Sequence, residues 1–480
     1  MRSVIAPMRT EPLRIDGERI DPGAWLEVTQ PYDGAVCGQV AAGDGEHAEA
    51  AVTAAAQALA EGPPPQHRRA GVLEAARDLV HERRDALAAL IAAEAGKPLR
   101  AALSEVSRCA DTLTFAAVEA RRLTGTMVPY DGSTGGHGKL GFTLRRPAGV
   151  AVAITPFNFP LNLVAHKVAP AFAAGCPVVL KPASATPLTA YAFAELLADA
   201  GMPAGFLHVV TGSSTVLGPA LTARDEVAVI SFTGSAEVGH ALVRDNPGKR
   251  VLTELGNTTP VVVDASADVE AAARKIAMTG YAHAGQSCIS VQRVLAHTAV
   301  HDHLCERLAA RVERLTVGDP SLERTDVGPL ITAAERDRVA AWIAAAVTAG
   351  ATALTGGDVN DDGTLQPAVV DQVPTDVRLW TDEVFGPVVG VRAVADLDEA
   401  IALANDSRYG LQAGIFTGDL EAALTAAHQL RFGGVMVNES PTFRADQQPY
   451  GGLRDSGNTR EGPAWAIDDY LEETVVAIQR

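Results

Sequence analysis

The chain has 480 residues, of which 47 % are hydrophobic and 20 % charged, and its formal net charge is −18. This length predicts two or three domains, and the composition is typical of a globular enzyme and excludes long disordered segments. The acidic charge disfavours nucleic acid or an anionic membrane as a partner, because it repels phosphate groups.

The sequence shows no pattern for membrane insertion, secretion or disulfide formation. No apolar run approaches the roughly 20 residues that span a bilayer, and the first residues, MRSVIAPMRTEPLRIDG, lack the apolar core of a signal peptide. The cysteines are scattered and lack CxxC spacing, which argues against a disulfide scaffold and a structural zinc site. They are Cys37, Cys109, Cys176, Cys288 and Cys305. We therefore expect a cytoplasmic protein that binds no metal.

Residues 44–125 are predicted to be mostly helical. Runs such as RAGVLEAARDLVHERRDALAALIAAEAG repeat apolar residues at spacings of three and four and end on a glycine, Gly96. The stretch from Gly125 to Lys139 is rich in Gly, Ser and Thr and interrupts this pattern. The segment GKLGFTLRRPAG that follows is predicted to form a strand.

From Gly149 onwards, short apolar or β-branched runs alternate with helical runs. GVAVAITP, CPVVLKP, FLHVVTG and VAVISFTG form one set. A second set begins near Glu254 and runs to about Val437, with PVVVD, SVQRVLAH, PVVGVRAV and GGVMVN. Continuous apolar strands separated by helices indicate parallel sheets covered on both faces. The sequence therefore predicts two α/β domains.

Five short motifs follow one another along these domains: TPFNFP, LKPAS, SFTGS, ELGN with GQSC downstream, and EVFGP. Cys288 of GQSC lies where a predicted helix meets a predicted strand. A single cysteine is usually a small buried hydrophobic residue, but one at such a junction is accessible. Its thiolate could add to an aldehyde carbonyl, and the thiohemiacetal could lose a hydride to leave a thioester for water to cleave.

Glu254 in VLTELGN and Asn158 in ITPFNFP are candidates to assist that chemistry. Glu254 follows an apolar run, and apolar surroundings raise the pKa of a carboxyl toward the range of a general base. A solvated carboxylate at a strand end is the alternative. The Asn158 amide, with the backbone N–H of Cys288, could hold an oxyanion, at ~3 kcal/mol per donor. The alternative for Asn158 is a turn former.

The predicted cofactor region has no GxGxxG motif. In FTGSAEVGHAL, Gly234 and Gly239 bracket a predicted helix N-terminus, which suits a pyrophosphate but also fits a simple strand-to-helix turn. Lys181 ends the strand CPVVL, at the edge of a parallel sheet where ligands bind. We expect Glu383 and Phe385 in DEVFGPV to contact a nicotinamide by hydrogen bonding and packing.

This ordered set of motifs resembles the aldehyde dehydrogenase superfamily from about residue 25 to residue 480. NDSRYGLQAGIFT and PYGGLRDSGNTREG look like late signature segments of that family. The resemblance implies oxidation of a small-molecule aldehyde with NAD or NADP. It also implies Cys288 as nucleophile, Glu254 as general base and Asn158 as oxyanion donor. The cofactor-binding residues that it implies are Thr155, Pro156, Lys181, Ser184, Gly234, Ser235, Glu383 and Phe385.

Within that set, the resemblance implies Lys181 and Ser184 at the adenosine ribose, Gly234 and Ser235 near the pyrophosphate, and Glu383 at the nicotinamide ribose. The implied fold is α/β, with a Rossmann-like cofactor domain (1–126 and 148–255) and a catalytic α/β domain (256–450). A small β arm (127–147 and 470–480) is implied to join subunits in a homodimer or homotetramer.

Two positions depart from the family pattern. Asn257 follows Gly256 where the family usually has a second glycine, so the larger side chain is expected to narrow the path of water or Glu254 to the thioester. Ser184 stands where NAD-preferring members often have a glutamate that repels a 2′-phosphate. Because serine removes that repulsion, we expect the protein to use NADP in addition to NAD.

The resemblance places Arg444 at the mouth of the aldehyde tunnel and His166 at a second tunnel-facing position. A guanidinium binds a carboxylate, phosphate or phosphonate with two parallel hydrogen bonds. We therefore expect a short anionic aldehyde such as succinic semialdehyde, glyceraldehyde 3-phosphate or phosphonoacetaldehyde, with lactaldehyde as the neutral alternative. The other interpretation is that Arg444 is a surface cation paired with Asp446.

Three functions stay open at this stage. The first is a dehydrogenase that hydrolyses its thioester, and the second is an acylating member that transfers the acyl group to coenzyme A. The third is a catalytically dead structural relative of the crystallin type. Retention of Glu254 favours hydrolysis, and the presence of Cys288, Glu254 and Asn158 together disfavours the third.

Overall fold

The computed structural model describes residues 8–479. Residues 1–7, which begin the expected cofactor domain and the stretch compared with a signal peptide, lie outside the described residues, as does the last residue of the expected arm, Arg480.

Strands β1 to β12 lie in the part of the chain that ends at Glu254. They are β1 (Arg9–Glu11), β2 (Leu13–Ile15), β3 (Glu18–Ile20), β4 (Trp25–Thr29), β5 (Val36–Ala41), β6 (Met127–Val128), β7 (Lys139–Pro147), β8 (Val150–Ile154), β9 (Val178–Lys181), β10 (Leu207–Val209), β11 (Val227–Thr233) and β12 (Arg250–Glu254). The remaining strands are β13 (Pro260–Val263), β14 (Arg293–His297), β15 (Thr352–Thr355), β16 (Ala368–Asp371), β17 (Val388–Val394), β18 (Gln412–Phe416), β19 (Gly434–Val437) and β20 (Leu471–Gln479).

The α-helices cover the sheets. They are α1 (Gly45–Glu61), α2 (Gln66–Glu82), α3 (Arg84–Ala95), α4 (Leu99–Arg122), α5 (Asn162–Ala174), α6 (Pro187–Asp199), α7 (Ser214–Thr222), α8 (Ala236–Asp245), α9 (Val269–Thr279), α10 (Thr298–Val312), α11 (Ala333–Thr348), α12 (Arg378–Thr381), α13 (Leu397–Asn405), α14 (Leu420–Gln429) and α15 (Pro463–Ala466).

The first four helices confirm the helical prediction for residues 44–125. Asp44 begins α1 by accepting hydrogen bonds from the backbone N–H groups of Glu46 and His47, which satisfies donors that a helix start leaves open. Gly96 ends α3 with a φ of 64°, a conformation that favours glycine. No helix within residues 8–479 is long and apolar enough to cross a bilayer.

The first large sheet has the strand order β12-β11-β8-β9-β10-β2-β3. Strands β8 to β12 run parallel, and β2 and β3 add an antiparallel edge. The chain moves outwards from β8 to β10 and then returns to β11 on the other side of β8. Such a reversal leaves a crevice at the carboxyl ends of the strands, where ligands bind in open α/β sheets.

The second large sheet has the order β15-β16-β17-β14-β13-β18-β19 and is parallel except for β15. The chain passes from the first sheet to the second between Glu254 and Pro260. Each sheet has its own large apolar cluster, formed with the helices that cover it. The prediction of an α/β fold with two parallel sheets is therefore confirmed.

Two small sheets share no strand with the two large ones: β1, β5 and β4 form one, and an antiparallel sheet of order β20-β7-β6 is the other. Strand β20 pairs with β7 from Leu471 opposite Pro147 to Gln479 opposite Lys139. Val475 and Ile478 on β20 are exposed. These strands fall within the two segments predicted to form the arm.

Candidate active site

A cavity of about 1560 Å³ opens at the carboxyl ends of β8, β9, β11 and β12 and reaches the loop before β14. It exceeds the roughly 300–1,000 Å³ of a site for one drug-sized ligand, so it has room for a dinucleotide and a small aldehyde. The predicted site residues that line it are Thr155, Pro156, Asn158, Lys181, Ser184, Gly234, Ser235, Glu254, Cys288, Glu383, Phe385 and Arg444. The structure therefore brings these residues to one cavity, and His166 is not in its wall.

Cys288 lies in a tight loop between α9 and β14. Residues 283–285 of this loop are in the left-handed conformation, and a Cβ added to Gly285 would lie 2.1 Å from the carbonyl oxygen of Gly386. The Cys288 side chain is half-buried, and its Sγ is 3.0 Å from the hydroxyl oxygen of Tyr450. Burial raises the pKa of Cys288 to about 12, against the lowering effect of the Tyr450 hydrogen bond. The thiolate therefore needs stabilisation from its surroundings.

Glu254 is the last residue of β12 and is 3 % exposed. Neither of its carboxyl oxygens has a hydrogen-bond partner among the described residues. Burial raises the pKa of Glu254 well above its usual value, and the charge of Glu461 raises it further, while Arg444 and Lys167 lower it. An unpartnered carboxyl with a raised pKa is what a general base in a closed site requires.

Asn158 follows β8 and is buried at the cavity wall. Its Nδ2 donates to the carbonyl oxygen of Gln286 at 2.9 Å, a bond that uses one of its two amide hydrogens. Gln286 is two residues before Cys288, so this bond joins the loop after β8 to the loop that carries the thiol. The Asn158 amide is therefore tied to the loop that carries Cys288.

A buried ion pair supports the Asn158 loop, and the sequence analysis did not identify it. Glu105 of α4 accepts hydrogen bonds from the backbone N–H groups of Leu161 and Asn162, where α5 begins. Lys97 pairs with the other oxygen of Glu105, and its Nζ lies 3.6 Å from the ring centroid of Phe159. A buried charge needs a partner. A lysine and a glutamate eight residues apart in an apolar helical region could therefore have indicated this pair.

Arg444 lies in the wall of the cavity, and its side chain is 5 % exposed. Its Nη2 donates to Glu461 Oε2 at 2.9 Å and lies 3.1 Å from His166 Nε2. Its guanidinium carbon is 3.8 Å from the ring centroid of Tyr450, and its buried Nε has no partner among the described residues. The alternative of a surface cation paired with Asp446 is wrong, because the side chain is buried and its carboxylate partner is Glu461.

The expectation for His166 needs correction. Its side chain is fully buried behind the cavity wall, where Nε2 lies 2.9 Å from Asp446 Oδ1. Burial lowers the pKa of His166 to about 4, so the ring is neutral at neutral pH. The ring hydrogen-bonds to Asp446 and does not line the cavity. The position of His166, eight residues after Asn158 in the sequence, could not show which face of α5 lines the cavity.

Arg108 also lies in the cavity wall, and the sequence analysis did not identify it. It donates from Nε and Nη2 to the two oxygens of Asp446, at 3.2 and 2.9 Å. Arg108, Arg444 and Lys167 thus pair with two carboxylates, Asp446 and Glu461. Hydrogen bonds and cationic neighbours lower the pKa of both carboxyls. This cluster carries a net positive charge.

The expectation that Asn257 narrows the path to the thioester is also corrected. Its Nδ2 donates to Thr259 Oγ1 at 2.9 Å and to the Gln412 carbonyl oxygen at 3.0 Å. The side chain thus joins the start of β13 to β18 and is not in the wall of the large cavity. The neighbouring Gly256 is the constrained position, since a Cβ there would lie 2.4 Å from Glu383 Oε2.

The adenosine and pyrophosphate end of the cavity fits a dinucleotide. The N-terminus of α8 lies in the cavity wall, where Ser235 Oγ accepts the backbone N–H of Val238 at 3.5 Å. The remaining open N–H groups of a helix N-terminus suit an anion. Lys181 has, among residues 8–479, only a long contact of 3.5 Å from Nζ to the Pro182 carbonyl oxygen, and Ser184 is exposed. Gly239 serves packing, because a Cβ there would lie 2.4 Å from Leu255 Cδ2.

Glu383 and Phe385, the residues expected at the nicotinamide, line the same cavity. Glu383 Oε1 accepts the backbone N–H of Asn257 at 3.0 Å, and burial raises the pKa of Glu383 to about 7. Phe385, with a φ of 50°, packs edge-to-face against Phe157 at 5.8 Å. With a nicotinamide bound there, Glu383 would offer its carboxyl to ribose hydroxyls and Phe385 an aromatic surface to the ring.

Outside this cavity, His301, Cys305 and Asp371 bring their possible ligand atoms within 4.8 Å of one another. His301 Nε2 lies 2.8 Å from Asp371 Oδ1 and 3.6 Å from Cys305 Sγ. These groups hydrogen-bond to one another, and none of them lines the active-site cavity.

Comparisons with known proteins confirm the resemblance that the motifs indicate. The model of the "Aldehyde dehydrogenase family" matches residues 20–476. The 3-sulfolactaldehyde dehydrogenase of Priestia aryabhattai is 40 % identical over 467 residues, which cover 97 % of each chain. Aldehyde dehydrogenase 21 from Physcomitrella patens, solved in complex with the reaction product succinate, is 36 % identical over 99 % of both chains, with a TM-score of 0.94.

A third similar protein is the glyceraldehyde-3-phosphate dehydrogenase of Methanocaldococcus jannaschii DSM 2661, solved with NADP. It is 34 % identical, with 95 % of this chain and 99 % of that chain covered and a TM-score of 0.91.

Proposed function

Since the chain belongs to the aldehyde dehydrogenase family, and is thus an NAD(P)-dependent enzyme, we propose that it oxidises a short anionic aldehyde to its carboxylic acid through a thioester on Cys288. The observation that carries this proposal is the meeting of three groups in one cavity. The thiol of Cys288, the unpartnered carboxyl of Glu254 and the amide of Asn158 all line it.

These residues have distinct roles in the proposed reaction. The Cys288 sulfur adds to the aldehyde carbon, and the Asn158 amide with the Cys288 backbone N–H holds the oxygen that becomes negative. When bound, the nicotinamide supplies the acceptor for the hydride. Glu254 then takes a proton from the water that attacks the thioester, and the carbon–sulfur bond breaks to release the acid and the thiol.

The proposed substrate class rests on the positive cluster beside the thiol. Arg444 offers a buried Nε without a partner, and Arg108 lies in the same wall. A guanidinium binds carboxylates, sulfonates and phosphates through charge-assisted hydrogen bonds. The similar proteins named above are associated with a sulfonated aldehyde, with succinate and with a phosphorylated aldehyde. We therefore favour a short aldehyde with an anionic group at its far end.

Hydrolysis is preferred to transfer of the acyl group to coenzyme A. A water-activating carboxyl is needed only for hydrolysis, and Glu254 is buried at the cavity with both oxygens unpartnered. We further propose assembly into a homodimer or homotetramer through the small sheet, where Val475 and Ile478 are exposed apolar residues on β20.

The test is a panel of aldehydes assayed with NAD and NADP, each with and without coenzyme A. Succinic semialdehyde and 3-sulfolactaldehyde serve as anionic substrates, and lactaldehyde serves as the neutral one. We expect turnover that does not need coenzyme A and a higher kcat/KM for the anionic aldehydes. Cys288→Ala should abolish activity, and Cys109→Ala, in the buried face of α4, is the matched control. An absolute requirement for coenzyme A, or activity in Cys288→Ala, would contradict the proposal.

A further inference from the structure

Tyr450 contacts the reactive sulfur directly. Its hydroxyl oxygen lies 3.0 Å from Cys288 Sγ, and the residue is 3 % exposed. A phenol O–H is a hydrogen-bond donor, and sulfur is a much stronger acceptor as a thiolate than as a thiol. This contact therefore gains strength when the thiol loses its proton.

Tyr450 is held both through its ring and through its backbone. The Arg444 guanidinium carbon lies 3.8 Å from its centroid, and a cation over a ring face is attracted to it. The backbone of Tyr450 exchanges two hydrogen bonds with Glu461, at 3.1 and 2.6 Å, and Glu461 in turn pairs with Arg444. These three residues form a closed set of contacts, so the hydroxyl is fixed relative to Cys288.

From this geometry, we propose that Tyr450 is a catalytic residue whose hydroxyl donates a hydrogen bond to the Cys288 sulfur, both when the thiolate attacks the aldehyde and when it leaves the thioester. This inference rests on the proposed function, in which Cys288 is the nucleophile. It assigns the stabilisation of the sulfur charge to a residue outside the Cys288, Glu254 and Asn158 set.

The proton stays on the phenol oxygen throughout. In the attack, the thiol proton leaves to solvent or base, and the sulfur electron pair forms the carbon–sulfur bond. In hydrolysis, water adds to the carbonyl carbon and gives a proton to Glu254, and the electron pair of the broken carbon–sulfur bond returns to sulfur. Tyr450 donates its hydrogen bond to sulfur at the beginning and at the end. Burial raises the pKa of Tyr450 well above its usual value, so it remains a donor.

The proposal can be tested on the enzyme alone, without cofactor or aldehyde. We compare the rate of iodoacetamide alkylation of the wild type and Tyr450→Phe from neutral to mildly alkaline pH, with Cys288→Ala as background. Loss of a hydrogen bond to a charged group raises a thiol pKa by about one unit or more. Because a more basic thiolate is about threefold more nucleophilic, the net expected effect is alkylation about threefold slower at each pH.

The matched control is Tyr409→Phe. Tyr409 lines the same cavity, but its hydroxyl contacts Arg408 at 2.6 Å and not the sulfur, so the Cys288 alkylation rate should not change in this variant. Removal of a hydroxyl opens space beside the sulfur, so a purely steric effect in Tyr450→Phe would speed alkylation. Alkylation that is equal to or faster than in the wild type would overturn the proposal.

The outcome separates this inference from the proposed function. If Tyr450→Phe alkylates like the wild type while the wild type oxidises aldehydes, the role of Tyr450 is wrong and the function stands. If the wild type oxidises none of the aldehydes in the panel, the function fails whatever the alkylation rates are, and the role in catalysis fails with it.

Discussion

Arg444 and Glu461 form a buried ion pair, with 2.9 Å between Nη2 and Oε2, and each side chain is 5 % exposed. Breaking such a pair by removing one member leaves an uncompensated buried charge. Glu461 also accepts from Lys167 at 3.2 Å. The pair therefore fixes the position of Arg444, and both of its charges act on the carboxyl of Glu254.

The first prediction concerns Arg444 as the anchor for the anionic end of the substrate. Arg444→Ala should lower kcat/KM for an anionic aldehyde relative to a neutral one of equal length by one to two orders of magnitude, since a charged hydrogen bond contributes about 1.5–3 kcal/mol. The ratio is measured within one preparation, so it does not depend on the folded fraction. Arg100→Ala, an exposed arginine outside the cavity wall, is the control. Equal losses on both aldehydes would rule out the anchor.

The second prediction concerns Glu254 as the base of hydrolysis. Glu254→Gln should release a stoichiometric burst of reduced cofactor and then stall at the thioester, because only hydrolysis needs the carboxyl to accept a proton. Stopped-flow absorbance of the reduced cofactor measures both phases. Glu226→Gln, at an exposed carboxyl outside the cavity wall, should turn over normally. Steady turnover of Glu254→Gln at the wild-type rate would remove Glu254 from the mechanism.

The third prediction concerns the pH dependence of turnover. Burial and the charge of Glu461 raise the pKa of Glu254. Below that pKa the carboxyl is protonated and cannot accept a proton, so a rate limited by hydrolysis should fall as the pH falls. Glu461→Gln removes the neighbouring negative charge, and the acid limb of the kcat profile should move to lower pH. A limb that stays in place or moves to higher pH would show that Glu461 does not control this ionisation.

The fourth prediction concerns the choice of cofactor. The unmodified enzyme should use NADP as well as NAD, because Ser184 carries no charge and Lys181 lies beside it in the cavity wall. In Ser184→Glu, the ratio of kcat/KM with NADP to that with NAD should fall by about tenfold or more, as expected for like charges a few ångströms apart. Ala185→Glu, at an exposed neighbour outside the wall, is the matched control. An unchanged ratio in Ser184→Glu would place the 2′-phosphate elsewhere.

Much of the fold could be predicted because its determinants are local. Helical spacing of apolar residues indicated α1 to α4, and continuous apolar runs indicated the parallel strands of both large sheets. The resemblance of the ordered motifs placed Asn158, Lys181, Gly234 and Glu254 in the site, and all four lie just after or at the ends of neighbouring strands. In an open parallel sheet those ends meet at one edge, which is why the cavity contains them.

The sequence by itself thus determined the family, the two sheets and the chemical groups at the strand ends, because spacing and motif order are properties of neighbouring residues. Only the tertiary structure decided which partners those groups take. Arg444 pairs with Glu461 and not with Asp446, and His166 lies behind the cavity wall. The Tyr450 hydroxyl meets a sulfur 162 residues away in the chain. Such contacts depend on how distant loops and helices pack against one another, and no local pattern of residues encodes that packing.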